Sequence, residues 1–129
     1  MKSIFKTLAL VLALISTQSL FAQSEAQMIK DVTVIQLSQT PGEYETTQLN
    51  LAPGKYIFEV TNKNVDKGLG FWLTPAGQSK TQISNSGLSK LVNKGETART
   101  GVVELKAGSY EYSCPLNPTP HYNIQVSSR

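Results

Sequence analysis

Apolar and polar residues alternate along most of the chain after about residue 31, the period expected of half-buried strands rather than helices. Lys55 to Thr61 is the cleanest case. Tyr56, Phe58 and Val60 point one way, and Lys55, Glu59 and Thr61 the other, which predicts a half-buried antiparallel strand. Asp31 to Leu37 also alternates, with Val32, Val34 and Gln36 opposite Thr33, Ile35 and Leu37; neither face is cleanly polar, so some cover is expected on both. Thr46–Leu51, Phe71–Leu73, Thr97–Leu105, Ser109–Cys114 and a last strand with Tyr122, Ile124 and Val126 inward complete the set. Turns are expected at Ser38–Glu43, Ala52–Gly54, Thr74–Gly77 and Ala107–Gly108, where Pro and Gly punctuate the chain.

Gln78 to Lys94 is the least regular stretch. Leu88, Leu91 and Val92 have i, i+3, i+4 spacing, which predicts one or two helical turns in a short irregular or helical insertion. Cys114 to Pro120 holds three prolines and cannot be a regular strand. The whole reads as all-β, a Greek-key sandwich of about seven or eight strands.

The N-terminus is different. Lys2 and Lys6 give a positive start, Thr7–Ile15 is a short apolar run, and Ser19-Leu20-Phe21-Ala22 precedes a polar stretch. This predicts a cleavable export signal, residues 1–22, cut after Ala22. The run is too short to span a bilayer, which needs about 20 residues. Residues 23–129 then form a single domain, and a periplasmic or secreted location follows.

Cleavage alters the charge. Two of the twelve basic residues leave with the signal and all nine acidic residues stay, so the formal charge falls from +3 to +1. No Lys/Arg cluster remains to suggest a nucleic-acid or anionic-membrane partner. The lone cysteine, Cys114, cannot form an internal disulfide. In an oxidising compartment an unpaired thiol suggests intermolecular pairing, reactivity or metal ligation, although a buried Cys can also be a small hydrophobe. His121 is the only histidine. A Cys/His catalytic pair would have to use both, and neither a nearby orienting carboxylate nor a Gly-rich loop is visible, so no enzyme is expected.

Cys114 closes a strand, shares a face with Tyr110 and Tyr112, and opens a Pro-rich loop that ends at His121. The run from Gly95-Glu96-Thr97-Ala98 through Ala107-Gly108-Ser109-Tyr110-Glu111-Tyr112-Ser113-Cys114 resembles the C-terminal half of the cupredoxin family, the blue-copper β-sandwich. Pro53 to Asn62 is similar to the strand whose terminal Asn precedes that family's first ligand loop. The resemblance implies a trigonal His₂Cys copper site with a weak axial ligand, suited to electron transfer. It makes Cys114 and His121 the expected copper ligands, and a periplasmic or membrane redox protein the expected partner.

Three departures stand out. The family's first His falls among Gly68, Leu69 and Gly70, none of which is a side-chain ligand. Six residues separate Cys114 from His121, where two to four are usual. The axial Met is missing, with Asn123 and Gln125 the only polar residues near its place and Met28 a distant thioether. The alternative is therefore a metal-free sandwich used as a binding or interaction module. Phe71 and Trp72 read as a core aromatic beside a rim aromatic.

Overall fold

The computed structural model describes residues 31–128; the expected export signal, residues 1–22, and Met28 lie outside the described residues. Among the described residues nine strands form two sheets. In chain order they are β1 (Val32–Thr40), β2 (Glu43–Tyr44), β3 (Gln48–Leu51), β4 (Gly54–Asn62), β5 (Trp72–Pro75), β6 (Thr97–Arg99), β7 (Val103–Leu105), β8 (Gly108–Ser113) and β9 (Tyr122–Val126). One sheet runs β2-β1-β4-β6, with β7 also on β4; the other runs β3-β9-β8-β5.

The inward faces follow the alternation. Tyr56, Phe58 and Val60 of β4 are buried against Leu73, Tyr112, Ile124 and Val126 of the facing sheet. On β1 the inward set is Ile35, Leu37 and Gln39, while Val34 is exposed. β1 runs on past Ser38 to Thr40, so the expected turn shrinks to Pro41-Gly42, with Gly42 at φ 76°. That positive φ suits glycine, which has no Cβ to clash.

Three expectations change. β4 is only partly antiparallel: it pairs parallel with β1 and antiparallel with β6 and β7. The expected Thr97–Leu105 strand is broken into β6 and β7 by a one-residue bulge. There the Thr100 hydroxyl accepts the Phe58 N–H at 3.0 Å, and the Thr100 N–H donates to the Phe58 carbonyl. A side chain thus replaces a ladder bond and bends the strand. Finally, no helix forms among the described residues near Leu88–Val92. Leu88 bridges to Thr100, Val92 bridges to Leu69, and Leu91 is left 58% exposed. The helical spacing arose from separate extended contacts, and the insertion is irregular.

Candidate functional site

The site lies at the end of the sandwich where β8 runs out. Continuing the inward face of Tyr112, Cys114 is buried, with 2% of its surface exposed. Its Sγ accepts two backbone N–H bonds, from Gly70 at 3.4 Å and from Asn117 at 3.3 Å. The second arises because Pro115 to Pro118 forms a turn that folds Asn117 back over the cysteine. The Cys114 N–H donates to the Thr119 hydroxyl at 3.0 Å and steadies the same turn.

Three buried polar side chains, Gln39, Tyr44 and Asn117, form a network behind the groups that bond this sulfur. Gln39 Nε2 donates to the Tyr44 hydroxyl at 2.9 Å and to the Gly70 carbonyl at 3.0 Å. Asn117 Nδ2 donates to Gln39 Oε1 at 3.2 Å and to the Thr40 carbonyl at 3.0 Å, while its Oδ1 accepts the Gly42 N–H at 2.8 Å. The Tyr44 hydroxyl donates to the Ser113 carbonyl at 3.3 Å. No buried side-chain N or O among the described residues lacks a hydrogen-bond partner. Nothing in the sequence pointed to Asn117. Gln39 was expected in the Ser38–Glu43 turn, and only continuing the inward alternation of Ile35 and Leu37 two residues further would have found it.

His121 lies on the outward side of this end. Tyr122, Ile124 and Val126 turn inward on β9, which puts His121 with the outward positions. Its Nδ1 lies 3.5 Å from Glu111 Oε2 on the neighbouring β8, and its side chain is 49% exposed. Glu111 is the carboxylate that the sequence did not reveal, and it engages the histidine from across the sheet. Cys114 and His121 share one open cavity of about 480 Å³, walled also by Trp72, Ser113 and Pro118. Trp72 is the rim aromatic, its Nε1 donating to the Ser79 carbonyl, and Phe71 is buried.

Segment 68–70 lies directly against the sulfur. Leu69 is buried and paired with Val92, and a Cβ on Gly70 would meet only Leu116 Cδ1, at 3.8 Å. There is room for a side chain beside Cys114, and the chain places none there.

Burial raises the hydroxyl of Tyr44 well above the usual tyrosine range, with Cys114, Tyr112 and Tyr122 adding to the effect and the Gln39 bond opposing it. Burial, then Tyr122, pushes Tyr112 up to about 12. A folded-state value above the unfolded one means that the folded chain holds its protons longer. The associated stability is complete below the unfolded value of about 10 and is lost as pH rises through the folded values. Thermal unfolding should therefore move to lower temperature as pH is raised from 9.5 towards 12. Tyr44→Phe should flatten that slope; an unchanged slope would show that the buried hydroxyls do not set it.

No family model and no curated protein matches the chain. Solved structures do. Auracyanin A, a "blue" copper protein from the green thermophilic photosynthetic bacterium Chloroflexus aurantiacus, superposes with a TM-score of 0.61 at 16% identity, over 74% of this chain and 99% of its own. Auracyanin B gives 0.57 at 17% identity, over 74% and 88%. The reduced auracyanin of Roseiflexus castenholzii gives 0.54 at 10% identity, over 74% and 97%. The chain has a cupredoxin-like fold.

At such identities the likeness carries the fold alone, and the donors must be judged on this cupredoxin-like chain itself. A blue-copper centre needs two imidazoles and a thiolate around one point. Among the described residues no three His, Cys, Asp or Glu come together to hold a metal. The groups on the Cys114 sulfur are neutral backbone amides, and the side chains behind them are already hydrogen-bonded to one another. The residues present do not fit a blue-copper centre.

Proposed function

We propose that this is an exported, metal-free cupredoxin-like protein that works as an interaction module. The observation that carries the reading is the sulfur's surroundings: Cys114 accepts two backbone N–H bonds beside a fully paired amide network, and among the described residues no three His, Cys, Asp or Glu come together to hold a metal. Two exposed leucines flank the 68–70 segment, Leu91 at 58% and Leu116 at 45%, and would give this end an apolar contact surface for a protein partner. Export rests on Lys2, Lys6 and the apolar run Thr7–Ile15. No catalytic role is assigned to Cys114 or His121.

A second reading, copper handling with electron transfer to a periplasmic or membrane redox protein, is favoured by the cavity that Cys114 and His121 share. Copper reconstitution of the purified protein decides between them. The expected result is no thiolate-to-copper absorption band and no copper kept after dialysis. Cys114→Ser should fold normally, and partner capture should fall in the Leu91→Asp, Leu116→Asp double variant. Retained copper that is lost in both Cys114→Ser and His121→Ala would establish the second reading instead.

A further inference from the structure

We propose that the Gln39–Tyr44–Asn117 network is a latch that closes this end of the sandwich with side-chain amides, the closure being independent of any metal ion. The proposal rests on the metal-free reading and adds what holds the site shut.

The latch joins both sheets at this end, beside the bond from the Tyr44 N–H to the Tyr122 hydroxyl at 3.2 Å. Gln39 and Tyr44 belong to β1 and β2 in one sheet. Ser113 ends β8 in the other sheet, Gly70 lies in the loop that leads into β5, and Asn117 sits in the loop from β8 to β9. Each partner carries part of the closure. Gln39 Nε2 holds the carbonyl of Gly70, whose own N–H is on the Cys114 sulfur. Asn117 holds the β1–β2 turn by both ends of its amide, at Thr40 and Gly42, and its backbone N–H is on the same sulfur. Tyr44 holds the last carbonyl of β8. Three neutral side chains and one thiol thus fix two loops and one turn.

The chemistry explains why the arrangement is all or none. A primary amide has two donor hydrogens and one acceptor oxygen, and both Gln39 and Asn117 have every one of these engaged. In a buried site, loss of one member leaves its neighbours unpaired, which costs more than the lost bond itself. The latch should therefore open as a unit, releasing segment 68–70 and loop 115–120 together while β4 stays closed, as local openings do in other folds.

Amide hydrogen exchange on the full-length protein tests this. In Asn117→Asp an oxygen replaces Nδ2 and faces Gln39 Oε1 and the Thr40 carbonyl. The amides of Gly42, Gly70 and residue 117 should exchange about tenfold faster or more, at similar rates to one another, with the Phe58 amide unchanged. Tyr44→Phe, which removes one hydroxyl and keeps the ring, should shift the same amides in the same direction by a smaller factor. It also carries the test if the aspartate variant does not fold. If these amides keep wild-type rates in Tyr44→Phe, or if Phe58 accelerates with them in either variant, the latch is overturned. A chelator arm separates this outcome from the function reading. Wild-type protection should be the same with and without EDTA, and protection that needs added copper would sink the metal-free reading whatever the variants do.

Discussion

Tyr112→Ala is expected to lower the unfolding free energy by about 3–5 kcal/mol, the range for removing a large buried aromatic. Against a typical total of about 5–15 kcal/mol, that is a third or more of the stability over most of the range. Tyr112 is fully buried and joins the aromatic residues of the core. Its ring centroid lies 5.0 Å from Tyr44, 5.4 Å from Tyr122 and 6.4 Å from Phe71, which in turn stacks on Phe58 at 5.1 Å. Its hydroxyl donates to the Thr46 carbonyl at the entry to β3. Urea unfolding with Tyr112→Phe alongside separates the parts. The phenylalanine variant loses only the hydroxyl and should cost about 0.5–1.5 kcal/mol. An alanine effect below about 1 kcal/mol would mean that the aromatic cluster is not the core's anchor. Because Tyr112 stands two residues before Cys114, the alanine variant should also unmask the thiol to a disulfide reagent.

The second large effect is expected at Asn62, whose side chain is buried where β4 ends. Its amide N–H groups point at the carbonyls of Val65, Lys67 and Val92, and its Oδ1 accepts the Val65 N–H at 2.8 Å. One side chain thereby shapes the loop that carries segment 68–70 to the sulfur. Asn62→Leu keeps the size and leaves buried carbonyls and an N–H unpaired, so a loss of about 2–4 kcal/mol is expected from the desolvation cost of such groups. Asn62→Asp gives a sharper signature. A carboxylate facing three carbonyls has its pKa raised, so the deficit should be smallest near pH 4 and grow as pH rises and the group ionises. A deficit that is flat with pH would show that the aspartate side chain has turned out to water.

Much of this fold can be read from alternation, and β4 shows why: one face packs on the core, the other meets water, and the period is 2. β1 was harder, because its outward Val34 is as apolar as its inward Leu37. The break between β6 and β7 was hidden, because it depends on one hydroxyl, that of Thr100, reaching the backbone of Phe58. Leu88, Leu91 and Val92 gave the wrong period because their neighbours are three different segments. At the site, the placing of Cys114 was legible from the face it shares with Tyr112. The latch was not. Gln39 and Asn117 stand 78 residues apart, and neutral amides in a loop look like any solvated loop. The Glu111–His121 pair was equally hidden, because it depends on the register between β8 and β9.

The parallel pairing of β3 with β9 bears on how the molecule assembles. Gln48 to Leu51 match Asn123 to Val126 in register, so an early strand waits for the last one. During synthesis β1 and β4 can zip together as soon as residue 62 has emerged. The second sheet can begin only with the short β5–β8 pair: until β9 exists, β3 has no neighbour and β8 has only β5. Contacts of such long sequence separation make folding slow, on the scale of milliseconds to seconds for sandwiches of this kind. A nascent chain of this design completes its second sheet only after residue 126 has emerged, because β9 is the strand that joins β3 to β8.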